Sequence, residues 1–427
     1  MARAADGARV FHRRLWKAPG PLSSVRVVRA TVGGTARGMT RPRGELRRSV
    51  NRSRRRRRIA ATIVSIAVVA VVAAGAVIWL PSRVSHAAPT RAPQPAVSPT
   101  RRTPTPTPTP TPHTPAEALL AGTQDPNACA VSFAGEGIVD APLLETVDTL
   151  YVGLPVPVRD GAVFAGWYTN DADAAALTTA QRVNGSKIVV CTDRQATLHA
   201  GWTTPEANAA EDAHIPILMY HQFTANPDGE SGWLRGNYAY IGDFDAQMSY
   251  IAQGGFYEPT WDELSAFIDG KLFLPDHSVI VTDDDADQTW FDLAAPVVDK
   301  YHVLTTSFMI TAYRQDPAPN RFVLRRSHTH DMHKAGANGK GQMVNLSADQ
   351  IAADLEASAG VLGVKEVIAY PFGHYNDTSK QGVMQAGFEM ARTINPGYVT
   401  IGTDKLALPV QRINYGMGVG AMKSMIG

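Results

Sequence analysis

Across residues 213–427, short apolar runs alternate with segments of helical periodicity, an order that few folds accommodate. His214-Ile215-Pro216-Ile217-Leu218-Met219-Tyr220-His221 reads as a short buried strand ending in a histidine. Phe244, Met248 and Ile251 recur at helical spacing. Thr260-Trp261-Asp262-Glu263 and Ser347-Ala348-Asp349-Gln350 are capping boxes that open helices. Strands are expected at 278–282, 304–311, 364–370 and 388–394, with helices at 290–301, 347–359 and 378–386. Such alternation predicts an α/β domain of parallel strands with outer helices. In barrels of this kind the reactive side chains gather at the C-terminal ends of the strands. His221, Asp284, Asp285 and Pro371 all fall at such ends.

At 427 residues the chain exceeds one ordinary domain, so two or more folded units are expected. Its formal net charge of +2 hides an asymmetry. Residues 1–58 carry 18 Lys and Arg against 2 Asp and Glu, whereas the remainder carries 23 against 37. Residues 59–80 follow this basic segment without a charged side chain. At ~1.5 Å per residue they cover a ~30 Å hydrocarbon core, so 59–80 reads as a transmembrane helix. The positive flank should stay in the cytoplasm. That predicts a single-pass cell-membrane protein with a cytoplasmic N-terminus and an extracellular remainder. A cleavable signal peptide is the competing reading, but its apolar region runs only ~7–15 residues. Ser85-His86-Ala87-Ala88 is also a poor cleavage site. Lying directly before an apolar span, the basic block suits anionic lipid rather than nucleic acid, and no nucleic-acid partner is expected. Met39 is an alternative start. Residues 81–116 form a Pro/Thr-rich linker with strict Thr-Pro alternation over 103–112. Proline fixes φ and removes donors, so this is an extended spacer of ~3.1 Å per residue.

Residues 117–204 read as a small β-rich module. Ala130-Val131-Ser132-Phe133, Lys187-Ile188-Val189-Val190-Cys191 and Thr197-Leu198-His199-Ala200-Gly201-Trp202 are its expected strands. Cys129 and Cys191 are the chain's two cysteines. An oxidising compartment permits a disulfide between them; two buried thiols are the alternative. The stretch "RDGAVFAGWYTNDADA" and the closing "ATLHAGWT" resemble an internalin-type B-repeat, a β-grasp module of Gram-positive surface proteins. Its aromatics Trp167, Tyr168 and Trp202 suit either a sugar-stacking patch in contact with the cell wall or the core of a small domain.

The chemistry lies in two clusters. Thr282-Asp283-Asp284-Asp285 ends an apolar strand, and Ser327-His328-Thr329-His330-Asp331-Met332-His333 follows some forty residues later. An acidic triplet alone is usually a solvated turn, and a lone His-rich loop is usually structural. A carboxylate at a strand end together with two imidazoles from one loop instead makes a three-ligand face for a divalent transition metal. Such a face leaves a position open for water.

These motifs resemble the polysaccharide deacetylase (NodB homology, carbohydrate esterase 4-like) family across residues 213–427. "VIVTDDDADQTW" is similar to its Thr-Phe-Asp-Asp-Gly motif, "SHTHDMH" to its His motif and "IAYPFGHYND" to its groove motif. "IPILMYHQF" resembles the branch whose catalytic histidine stands at the domain's N-terminus, which includes poly-N-acetylglucosamine deacetylases. The resemblance implies a distorted (β/α)7 barrel. It implies Asp285, His328 and His333 as ligands of a divalent metal, Zn2+ first and Co2+ or Ni2+ next, with His330 the alternative ligand. Asp284 becomes the general base and His221 the general acid. The backbone of Phe372 becomes the oxyanion donor, with Tyr370 and Pro371 beside it in the groove.

Three positions depart from the family pattern: Asp283 replaces an apolar residue, Ala286 a glycine, and Ala369 an arginine that supports the base. Asp283 either raises the pKa of Asp284 by like-charge repulsion or faces away along the strand. The expected function is metal-dependent removal of N-acetyl groups from a cell-wall or capsular N-acetylglucosamine polysaccharide. The rivals are an O-acetyl esterase and a glycan-binding surface protein with a degenerate barrel.

Overall fold

The computed structural model describes residues 114–427. The first part of this region is a five-stranded sheet: β1 (Ala128–Ala134), β2 (Leu143–Thr146), β3 (Val163–Tyr168), β4 (Arg182–Val183) and β5 (Gln195–Thr203). Their spatial order is β2-β1-β5-β3-β4, with β1 and β5 parallel and the other pairs antiparallel. All six residues of β3 are buried, as expected of a strand covered on both faces. A disulfide joins Cys129 of β1 to Cys191. Trp167 and Tyr168 are core residues; the Trp167 indole donates to the Pro155 carbonyl (2.8 Å) and packs on Phe133 and Phe164. The sugar-stacking reading therefore fails for these two: their faces are spent inside the protein.

The remaining strands are β6 (Ile217–Tyr220), β7 (Gln222–Thr224), β8 (Tyr238–Tyr240), β9 (Ile280–Asp285), β10 (Thr305–Met309), β11 (Val323–Ser327), β12 (Val367–Ala369), β13 (Met390–Pro396) and β14 (Leu408–Arg412). Strands β9 to β14 pair in sequence, and β6 closes the circle between β14 and β9. Every pairing is parallel, giving a closed seven-stranded barrel; β7 and β8 form a separate parallel pair. Strands β11 and β14 were not anticipated. The expected helix at 290–301 divides into a π-helical turn, Trp290–Ala294, and the α-helix Ala295–Tyr301. Pro296 has no amide hydrogen for the i−4 carbonyl, so the helical register widens just before it. Helix Ala348–Leu362 begins at the expected capping box and ends at Gly363, whose φ of 78° suits glycine.

The small sheet and the barrel share one core. Cys129, Val131, Phe164 and Trp167 belong to the same apolar cluster as Ile215, Ile217, Met219, Leu264 and Phe267. Leu150 packs on Leu304 and Phe322, the residues immediately before β10 and β11. The sheet thus covers the N-terminal mouth of the barrel. Polar groups lock this junction. The Arg182 guanidinium donates to Glu263 (3.2 Å) and to the Phe273 carbonyl (2.7 Å), while Asn184 and Tyr257 also donate to Glu263. Main-chain bonds add to it: Phe164 N–H donates to Lys271 O, and Phe273 N–H donates to Phe164 O.

The expected single-pass membrane location is corrected here. Among the described residues no helix is long and apolar enough to cross a membrane. The longest, Ala348–Leu362, has 15 residues, about 22 Å at 1.5 Å per residue, against a core of about 30 Å. Residues 59–80, on which that expectation rested, lie outside the described residues, as do 1–58 and most of the 81–116 linker.

Candidate active site

Strand β9 delivers three carboxylates to the C-terminal end of the barrel, and the backbone sends them different ways. Asp283 is fully buried and accepts from the Ser307 hydroxyl on β10 (3.2 Å). Burial, followed by the charges of Asp284 and Asp285, pushes its carboxyl well above the ordinary range. A neutral acid in the wall results, rather than a third charge in the cleft. Asp285 and Ala286 follow with φ of 75° and 48°. Two successive non-glycine residues in the left-handed region are sterically costly; the turn they make ends the strand at the Asp285 carboxylate.

The histidine loop meets it there. His328 follows β11, and its Nδ1 bonds to the Ala369 carbonyl (2.9 Å). That bond fixes Nδ1 as the donor and turns Nε2 toward Asp285. Burial lowers the imidazole's pKa, but the hydrogen bond to Asp285 and the charge of Asp284 raise it net above its ordinary value. The loop is fixed from behind by Asp354 of helix Ala348–Leu362, which accepts from the backbone N–H groups of His330 (2.7 Å) and Asp331 (2.9 Å). The turn brings His333 back beside His328, their ring centroids 4.8 Å apart. Asp285 Oδ1 lies 3.4 Å from His328 Nε2 and 3.3 Å from His333 Nε2. Ligands bonded to one zinc-like ion at tetrahedral angles stand about 3.4 Å apart, so the three atoms match the edges of such a site. Asp285 Oδ1 is also buried without a hydrogen-bond partner, as a ligand atom would be. Burial, then the charge of His328, lowers the His333 imidazole to about 4, leaving it neutral and able to ligate. His330 turns away from the cluster and bonds to the Thr311 hydroxyl (3.0 Å).

Asp284 lies beside this trio, paired with the buried guanidinium of Arg392 on β13. Burial pushes its carboxyl up, but Arg392, then His221 and His328, bring it net below its ordinary value. His221, just past β6, places Nε2 3.8 Å from Asp284 Oδ2. Burial lowers its pKa more than the two aspartates raise it, so the ring is neutral near pH 7.

These groups line a cleft of about 410 Å3 together with Trp233, Phe372, Ile394 and Arg412. Phe372, at φ 58°, stands against the His333 ring with centroids 4.2 Å apart. The following amides are engaged within the turn: Gly373 N–H donates to Tyr370 O and His374 N–H to Pro371 O. Tyr370 and Pro371, expected in the groove, are buried behind it; the Tyr370 hydroxyl donates to Leu406 O.

With this geometry in hand, comparison with known proteins is specific. Residues 273–391 match the polysaccharide deacetylase family. The chain carries a polysaccharide deacetylase domain. A poly-beta-1,6-N-acetyl-D-glucosamine N-deacetylase of Staphylococcus epidermidis is 28% identical over 157 residues, 32% of this chain and 54% of the relative. Its counterpart from Staphylococcus aureus (strain MRSA252) is 27% identical over the same shares. The chain spans about half the length of these curated relatives. Among solved structures, a Streptococcus pyogenes deacetylase in complex with acetate is 22% identical, covering 51% of this chain and 99% of that one, with a TM-score of 0.43.

The deacetylase domain also holds a residue that sequence reasoning missed. Ala369, standing in for an arginine, is the register partner of Arg392 on the next strand. The guanidinium therefore reaches Asp284 from one strand further round. The available signal was an arginine within the expected strand 388–394, which would need a partner only if its side of the strand were buried.

Proposed function

We propose that this chain is a metal-dependent N-deacetylase acting on an N-acetylglucosamine polysaccharide, with Zn2+ as its ion. One observation carries the reading: Asp285, His328 and His333 offer ligand atoms within 4.8 Å of one another, flanked by Asp284 and His221 in the same cleft. Such an ion would polarise the amide carbonyl and make a neighbouring water more acidic. Asp284 accepts the proton of the attacking water, and the Arg392 pair keeps it ionised until then. His221 rests neutral, so the proton it gives to the amine nitrogen is the one passed from Asp284 Oδ2 to its Nε2. The C–N bond then breaks, giving acetate and a free amine. The backbone N–H of Phe372 is the proposed donor to the oxyanion. The relatives' polymer, a poly-β-1,6-N-acetylglucosamine, is the first to try.

The test is acetate release from N-acetylglucosamine oligomers by the zinc-loaded chain, alongside an O-acetylated glycan to separate amidase from esterase. Chelator should abolish activity and zinc restore it. Asp284→Asn should lower kcat by roughly 10²–10⁴; full activity in that variant would remove the assigned base.

A further inference from the structure

Phe372, whose N–H is the proposed oxyanion donor, stands at φ 58°. A bulky residue keeps such a left-handed conformation only where its surroundings over-determine it. Burial alone does not fix it, since the residue is 42% exposed. Part of the restraint lies within the turn, where Gly373 N–H donates to Tyr370 O (2.8 Å) and His374 N–H to Pro371 O (3.1 Å). The rest comes from a hairpin, residues 334–342, that follows His333 directly.

The hairpin is closed by its own main chain. Gln342 N–H donates to Lys334 O (2.7 Å) and Gly336 N–H to Lys340 O (2.6 Å), and Ala335 bridges Gly341. Asn345 braces the returning arm, donating to Gly341 O (3.0 Å) and to Asn338 Oδ1 (2.9 Å). From that arm the Gly341 N–H donates to His374 Nδ1 (2.9 Å). Gly341 is pressed so close to the turn that a Cβ there would stand 2.9 Å from Phe372 Cδ2 and 3.3 Å from Pro371 O. The same phenyl ring meets His333, centroids 4.2 Å apart. Phe372 therefore touches both ends of segment 333–341, and the Gly341–His374 bond pins the far end to its own turn.

We infer that His374 is a positioning residue for the hydrolysis. By accepting from Gly341 N–H, its Nδ1 sets where the Phe372 N–H stands relative to Asp285, His328 and His333. His374 is not among the residues lining the cleft, so it acts through the turn. An oxyanion donor counts only when held where charge develops, and a displacement of about 1 Å costs up to roughly 10²-fold in rate. This rests on the deacetylase reading above.

The experiment compares His374→Ala, His374→Asn and Gly341→Ala with the parent chain, all zinc-loaded. Asparagine keeps an acceptor oxygen close to where Nδ1 lies. Gly341→Ala leaves His374 in place but must push the Phe372 ring aside. The readouts are kcat and KM for acetate release from N-acetylglucosamine oligomers, zinc affinity by calorimetry, and hydrogen exchange of the Gly341 amide. His374→Ala should speed that exchange at least tenfold and lower kcat about 10–100-fold, with KM and zinc affinity within about threefold of the parent. His374→Asn should recover most of the protection and most of kcat, and Gly341→Ala should lower kcat with zinc affinity unchanged. The inference is overturned if kcat survives in His374→Ala once the Gly341 amide exchanges freely. It is equally overturned if zinc affinity falls in step with kcat, or if His374→Asn restores protection without restoring kcat. Those results, in a parent that releases acetate, leave the deacetylase reading standing; a parent that releases none overturns both.

Discussion

Arg392 and Asp284 form a buried pair 108 residues apart in sequence, and the proposed base depends on it. Removing one partner strands the other charge, which costs roughly 3–5 kcal/mol. Arg392→Ala should therefore show that loss in denaturant unfolding and at least a tenfold fall in acetate release. A second buried acid, remote from the site, gives a pH prediction. Burial pushes the Glu258 carboxyl up to about 7 from 4.5, against a bond from Leu304 N–H. Its folded pKa exceeds the unfolded one, so its contribution is complete below about pH 4.5 and drains away as pH rises through 7. Glu258→Gln keeps an acceptor but cannot ionise. It should match the parent protein near pH 4 and exceed it at pH 8–9, by up to roughly 3 kcal/mol, read by chemical denaturation at each pH. Asp284 and Asp285 were legible as candidates because they end an apolar strand, and His328 and His333 because two imidazoles from one short loop suggest metal ligation. Arg392 was not, because one arginine in a strand looks the same in sequence whether it faces solvent or a carboxylate.

Among the elements, helix Ala348–Leu362 does more than cover the barrel. Its Asp354 holds two amides of the histidine loop, and so sets where His333 can stand. Asp354→Ala should leave the helix intact by circular dichroism, since its capping box is untouched. It should weaken zinc binding about 10–100-fold by calorimetric titration, as losses of supporting groups around metal ligands do. The alternation of strand and helix was readable because the long helices show an apolar stripe and, at Thr260 and Ser347, a capping side chain opens the helix. Strands β11 and β14 escaped notice: Val323-Leu324-Arg325-Arg326-Ser327 and Leu408-Pro409-Val410-Gln411-Arg412 mix charge, proline and apolar residues. Only closure of the ring gives them partners.

At the scale of the molecule, the main departure from expectation is the continuous core between the small sheet and the barrel. Apolar pattern within each part could not reveal it, since Trp167 and Phe164 read equally well as the inside of a separate module. With Arg182 and Glu263 buried in the junction, the two parts should unfold together. Calorimetry of residues 114–427 should give one transition for both, and Arg182→Ala should lower it as a unit; two resolved transitions would argue against the shared core. The histidines, carboxylates and cleft all belong to the opposite pole, whose loops can vary without disturbing this junction. Anyone wishing to transplant the catalytic face onto a new carrier must bring its floor along, so a portable fragment includes the small sheet from β1 onward rather than starting at the first barrel strand.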